Sequence, residues 1–335
     1  MEEKEEFLPQ PERESILKGS PFYATPYQEK GLSNWSQFGL LLGLLGVGLI
    51  VGSIISLVVV KLMIPHAHLL DLDKAILQPE NANAMKIIQV LSTLFMFFIP
   101  AYAFTTIVFK KPFQHLGFNI NISWQQLALV VLIVGAALFV GGGLGDLNEK
   151  IPIPHDWRAK FQKAEDEYQD QVVAIATMRN IKEYLMGLFI IALMPAIVEE
   201  TFFRGTLQQF FVRWFGNPWV GILVTSILFS AIHWSYFGFL TRAMLGVVLG
   251  LLFYYGKSIW LNILAHFLNN AVAVTALYMG AMKGKLAKDA LEDHYPLWLS
   301  VAAAVILVYL FIYFKTISDA VLTKKESSLL PDKID

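Results

Sequence analysis

From Phe38 to Val60 the chain reads FGLLLGLLGVGLIVGSIISLVVV, and from Ile87 to Phe109 it reads IIQVLSTLFMFFIPAYAFTTIVF; neither stretch contains a charge. About 20 predominantly apolar residues in a helix cross the hydrocarbon of a bilayer. Buried helices of soluble domains are rarely so long and so uniformly apolar. Only 16% of the residues are charged, against about 25% in a soluble domain, so the apolar character is not confined to two segments. The pattern predicts an all-α polytopic transmembrane helix bundle of about eight spans, an integral multi-pass membrane protein with membrane lipid as a partner.

Further spans are predicted at about Trp124–Leu144, Tyr184–Phe203, Trp219–Trp234, Phe237–Tyr255, Ile259–Tyr278 and Leu297–Phe314. The organisation that follows is a polar tail (1–37), three spans with a long connection (38–180), a core (181–280), and a last span with a charged tail (281–335). The opening MEEKEEFLPQPERES is acidic and has no apolar signal-peptide region, so the first span is expected to stay as an uncleaved anchor. In that span Gly48 and Gly52 form a small-xxx-small face suited to close helix contact, and Pro100 in the second is a candidate kink. The connection carries Trp157, Phe161, Ala164 and Tyr168 at helical spacing, the pattern of an amphipathic helix at the membrane interface or of a plainly solvated one. A net charge of −1 offers no clustered basic face for nucleic acid. With no cysteine, disulfides, thiolate nucleophiles and zinc–thiolate sites are excluded. Lys and Arg divide evenly between alternate loops; discounting the long connection favours both termini in the cytoplasm, in a bacterial-type cytoplasmic membrane.

The second half differs from the first in carrying ionisable groups inside apolar sequence. The fourth span ends in Glu199, Glu200 and Arg204, the fifth ends in LFSAIHW with His233, and the seventh holds Asn262, His266, Asn269 and Asn270. An Asp or Arg at mid-membrane costs about 2.5–3.5 kcal/mol on insertion scales, so several together imply that they face one another across a polar cavity. Glu200 and Arg204 are four residues apart and share a helix face, which suits a charge-assisted pair. Glu199 lies about 100° around the helix and is left free of that pair. His266 and Asn270 are again four apart, with Asn262 one turn earlier. The expected site therefore gathers Glu199, His233, His266 and Asn270 from spans 4, 5 and 7, with Glu200 and Arg204 in support.

Taken singly, each residue has a plainer explanation. The Glu200–Arg204 pair anchors a helix end, Glu199 and His233 sit at interfaces, Asn270 ties helices together, and Arg242 snorkels or pairs. HAHLLDLD, with His66, His68, Asp71 and Asp73, reads as a loop rather than a metal site. All the plain explanations must hold at once to dismiss the site.

EETFFR (Glu199 to Arg204), FSAIH (Phe229 to His233) and HFLNN (His266 to Asn270) fit the motifs EExxxR, FxxxH and HxxxN. In this order and on successive apolar spans they resemble the CPBP family of intramembrane proteases, which includes the type II CAAX prenyl endopeptidases and bacteriocin-processing or self-immunity proteins. The resemblance covers about Tyr184–Tyr278. It implies hydrolysis of a peptide bond in a membrane-associated or lipidated polypeptide. Glu199 then activates water with His233, and His266 and Asn270 donate to the oxyanion. A second reading makes Glu199, His233 and His266 the ligands of a catalytic zinc; the HExxH motif is absent, and the reading without a cofactor is preferred. From other classes, a proton-coupled transporter also uses buried Glu, His and Asn, and an immunity protein keeps the fold without catalysis. The polar residues fall in one half only, unlike the repeats of transporters, which favours the enzyme.

Overall fold

The computed structural model describes residues 31–66, 71–175, 178–284 and 296–329, and His68 of the HAHLLDLD segment lies outside them. The described residues are helical and contain no strand. Nine helices organise them: α1 (Asn34–Met63), α2 (Ala82–Val108), α3 (Trp124–Glu149), α4 (His155–Ile175), α5 (Ile181–Phe215), α6 (Pro218–Ala231), α7 (Phe239–Gly256), α8 (Ile259–Met282) and α9 (Leu297–Leu329). Among them seven are long and apolar enough to cross a membrane, all except α4 and α6. The bundle has two apolar centres. One gathers Val130, Ile133, Leu249, Leu252, Ala265 and Phe314 from α3, α7, α8 and α9. The other gathers Leu41, Phe104, Val198, Phe203, Phe210 and Phe229 from α1, α2, α5 and α6.

Two details of the bundle come directly from residue chemistry. Gly48 is buried, and a Cβ there would lie 2.3 Å from the backbone oxygen of Phe95, so α1 meets α2 backbone to backbone along the small-residue face. Proline has no N–H and its ring collides with the carbonyl four residues back. Ahead of Pro100 and Pro195 the helices widen into single π turns, Leu94–Phe98 and Leu188–Leu193. Within them the Ile99 N–H reaches Leu94 O and the Met194 N–H reaches Phe189 O.

Beyond Phe203, where the sequence reads as a polar-aromatic connection or a half-buried helix, the fourth span continues as the helix α5 to Phe215, through a third π turn at Phe203–Gln208. Polar side chains make this continuation work by covering the carbonyls that the wide turn frees. Thr206 Oγ1 donates to Thr201 O (3.2 Å), and Gln209 Nε2 donates to Gly205 O (2.8 Å) and to His115 O (2.5 Å). No proline accompanies this turn; it follows directly on Glu199 and Glu200, and such turns recur at functional sites.

His115 belongs to the short helix Pro112–His115 between α2 and α3. It is buried, stacked on Phe109 at 3.6 Å between ring centroids, with Arg213 Nη1 3.4 Å from its Nε2. Burial first, and the Arg213 charge second, hold its pKa well below the usual histidine value. The unfolded chain therefore binds this proton more readily than the folded one, so the neutral ring supports folding above about pH 6.5 and that support is lost as pH falls toward the folded pKa. The expected result is that thermal unfolding temperature drops between pH 7 and pH 5 by less in His115→Gln than in the unaltered protein. Equal drops would assign the acid sensitivity elsewhere.

Candidate active site

The fifth span is the short one. At 14 residues α6 is about 21 Å long at 1.5 Å per residue, against about 30 Å of hydrocarbon. Asn217 caps its start, accepting from the Trp219 and Val220 N–H groups, with Pro218 at the first helical position. The helix ends at Ala231, so His233 lies in the turn beyond it rather than within a span, which corrects the expected boundary at Trp234. Irregular backbone is tolerated at membrane depth only where protein buries it or a cavity hydrates it, and the turn is correspondingly well tied. Ser230 Oγ donates to Phe239 O (2.7 Å), Asn148 Nδ2 to Tyr236 O (2.9 Å), and the Leu240 N–H to Asn148 Oδ1 (3.1 Å).

Helix α4 closes over the same turn. Ser235 Oγ donates to Glu165 at 2.5 Å, Phe161 stacks on Tyr236 at 4.5 Å, and Arg242 lies over the Tyr168 ring at 5.1 Å. Phe161 and Tyr168 of the aromatic face thus pack on protein, while Trp157 stays exposed.

Glu200 is the centre of the polar cluster. Arg204 Nη1 donates to its Oε1 at 2.6 Å, as the four-residue spacing predicts, and both side chains are fully buried. The sequence does not disclose its other partners, which come from α8. His266 Nδ1 donates to Oε1 at 2.8 Å and Asn262 Nδ2 to Oε2 at 3.4 Å. Arg204 is completed by Gly246 O at 3.2 Å and by the ring of Phe229, 4.8 Å below its guanidinium. A Cβ on Gly246 would lie 2.8 Å from Ser226 Cα, so only glycine lets α6 and α7 come close enough for this arrangement. A buried pair held by further hydrogen bonds is the form in which buried charge is tolerated, although Arg204 Nε has no hydrogen-bond partner among the described residues.

Phe229 joins the three motifs. Besides Arg204 it meets His266 edge-on at 5.9 Å and His233 at 5.0 Å. The motif phenylalanine is thus the shared wall of the site, a role invisible in a linear pattern.

The two histidines are oriented by what their Nδ1 atoms touch. His233 Nδ1 lies 2.7 Å from Phe229 O; a carbonyl only accepts, so Nδ1 carries the proton and Nε2 the lone pair. His266 spends its Nδ1–H on Glu200, which directs Nε2 toward Glu199 Oε2 at 4.0 Å. That Glu199 oxygen is buried and has no hydrogen-bond partner. Asn270 lies one helical turn beyond His266; its Oδ1 accepts from Asn269 Nδ2 at 3.2 Å, leaving its own NH₂ to donate elsewhere. The structure records contacts linking Glu199 to His266, and both histidines to Phe229; it records none from Asn270 to the other three.

Glu199, His233 and His266 carry the donor types of a catalytic zinc site. No three His, Asp or Glu side chains among the described residues converge on a metal position. The 4.0 Å between Glu199 and His266 exceeds the roughly 3.4 Å that two ligands 2.0–2.1 Å from a tetrahedral zinc would span.

Residues 181–272 match the family model of the type II CAAX prenyl endopeptidase Rce1-like proteins. That segment contains all three motifs and every residue of the cluster described above. The chain carries a CPBP-family domain. The chain is also 28% identical over 131 residues to an uncharacterized 24.3 kDa protein of Escherichia coli, a match covering 39% of this chain and 51% of the relative. It thus spans about half the length of that curated relative. No solved structure matches the chain. The CPBP domain begins with α5 and ends within α8; α1 to α4 and α9 lie outside the matched segment.

One backbone feature of the domain had no signal in the sequence. Trp234, next to His233, has φ +52°, the left-handed conformation that ends helices and is normally given to glycine. For a bulky residue this is a true outlier, costing of order 1–3 kcal/mol and held only where the surroundings over-determine it.

Proposed function

We propose that the protein is an intramembrane endopeptidase that hydrolyses a peptide bond of a membrane-associated or lipidated polypeptide. The observation carrying this reading is the unpartnered, buried Glu199 oxygen 4.0 Å from His266 Nε2. A single water at about 2.8 Å hydrogen-bond distance from each fits that gap. Glu199 takes a proton from this water as its oxygen attacks the scissile carbonyl, and His233, whose Nε2 lone pair is available, orients the same water. The carbonyl π electrons move to the oxygen, and the Asn270 NH₂ donates to the oxyanion so formed. His266 contributes a second donor from Nε2 only as imidazolium, because its Nδ1–H is already held by Glu200. The intermediate collapses when the C–N bond breaks and Glu199 returns its proton to the leaving amine, so the proton balance closes on one residue.

Membranes containing the active protein and its Glu199→Gln form are compared by peptide-level proteomics, and the purified protein is assayed on any polypeptide whose cleavage depends on Glu199. The expected result is a set of membrane-associated fragments present only with Glu199 intact. Turnover should also persist after exhaustive chelation. Identical fragment sets would overturn the protease reading. Loss on chelation with recovery on adding zinc would instead transfer Glu199, His233 and His266 to metal ligation.

A further inference from the structure

The carboxylate assigned to water activation lies inside the protein. Glu199 and His266 are both buried, and Glu199 Oε2 is enclosed by its surroundings. A polypeptide cannot bring its backbone to a group covered in this way, so a covering element has to move. Helix α4 is the element placed to do so. Arg158, Phe161, Glu165, Tyr168 and Val172 recur at alternate steps of three and four residues, which sets them on one face of the helix. Arg158 lies over the Phe237 ring at 5.9 Å, Phe161 stacks on Tyr236, Glu165 accepts from Ser235, and Tyr168 lies against the Arg242 guanidinium. All four partners belong to the turn that carries His233 or to the first turn of α7 just beyond it. Val172, at the far end of the same face, packs into a separate apolar cluster with Val274 and Leu277 of α8 and Ala192 of α5. Ala192 lies about two helical turns before Glu199. One face of α4 therefore reaches from the turn that carries His233 to the two helices that carry Glu199, His266 and Asn270.

The attachment is of a releasable kind. None of the five side chains is fully buried, and Lys163 and Glu167 stand exposed as a pair elsewhere on the helix. Segments with few buried apolar contacts open at the lowest free-energy cost. Residues 150–154 ahead of α4 are not helical, and Pro152 and Pro154 keep α3 from running on into α4. Helix α4 is also not among the membrane spans, so its release takes no span out of the bundle. We propose that α4 is a lid over the active site, latched on the turn 235–237, and that its release admits the substrate polypeptide to Glu199. The need for access rests on the endopeptidase reading; the movement itself can be measured without turnover.

The test uses the purified full chain in lipid nanodiscs. The chain has no cysteine, so Glu199→Cys introduces a single thiol at the site, and its rate of modification by a maleimide-bearing hexapeptide reports access. Adding Phe161→Ala/Glu165→Ala, which removes two latch contacts, should raise that rate roughly tenfold. The thiol of Ala137→Cys, buried in the other apolar centre, should react at the same rate with and without the latch substitutions. In the protein with Glu199 intact, Glu165→Cys/Ser235→Cys is joined by a short reducible bis-thiosulfonate. Closing this tether should slow Glu199-dependent cleavage by about tenfold or more, and reduction should restore it. Modification of Glu199→Cys at an unchanged rate would overturn the proposal. Equal acceleration at Ala137→Cys would do the same, because it marks opening of the whole bundle, as would cleavage at full rate with the tether closed. If the protein cleaves nothing, with Glu199 or without it, the endopeptidase reading fails, and the modification rates still decide whether α4 governs access.

Discussion

Glu200→Ala is expected to lose both stability and turnover, and by more than any other single change in the domain. Removing one partner of a buried ion pair leaves the other charge uncompensated, at a cost of about 3–5 kcal/mol. Arg204 would be that charge, fully buried with its other contacts confined to Gly246 O and aromatic faces. The same change frees His266, whose Nδ1 is oriented by Glu200 at 2.8 Å, so the fraction that stays folded should also be slow. Two further variants separate these effects. Glu200→Ala/Arg204→Met removes the orphaned charge and should recover much of the stability but not the activity, because His266 stays unoriented. Glu199→Ala should keep the stability and lose the activity. Thermal unfolding in detergent and turnover on one cleaved substrate measure both. Full recovery of activity in the double variant would show that Glu200 acts only through folding.

For Asn270→Ala the expected loss is confined to chemistry. If the amide only tied helices together, removing it would lower stability by about 0.6 kcal/mol, the average for an interhelical hydrogen bond, with turnover nearly intact. An oxyanion donor instead accounts for about 10²–10³ in kcat. The Oδ1 of Asn270 is occupied by Asn269, which turns the NH₂ toward whatever lies beyond, and this favours the donor role. Groups that serve one transition state also fail together. The double variant Glu199→Ala/Asn270→Ala should therefore be hardly slower than Glu199→Ala alone. A well-folded Asn270→Ala protein with near-normal kcat would refute the role, and a multiplicative double variant would separate the two residues.

What could be read without the structure is what depends on neighbours along the chain. The charge-free stretches fixed the helical membrane class, because apolar length and helix rise are local quantities. The Glu200–Arg204 pair followed from a spacing of four, and the close face at Gly48 from residue size. The three motifs picked out about Tyr184–Tyr278, which overlaps the family match over 181–272.

Only the tertiary structure supplied the rest, and the reason is common to each case. The Glu200–His266 bond joins residues 66 positions apart; which face of α8 meets which face of α5 depends on crossing angle and depth, which no periodicity encodes. Phe229 touches Arg204, His233 and His266 at once because three helices converge on one ring. The continuation of α5 to Phe215 depended on side chains covering the carbonyls of a π turn, where the sequence left a connection and a half-buried helix both open. The position of His233 in a turn followed from where α6 stops, although the apolar pattern runs on to Trp234. The left-handed backbone of Trp234 is set by the turn's attachments to α3, α4 and α7, which overrule the preference of the residue itself.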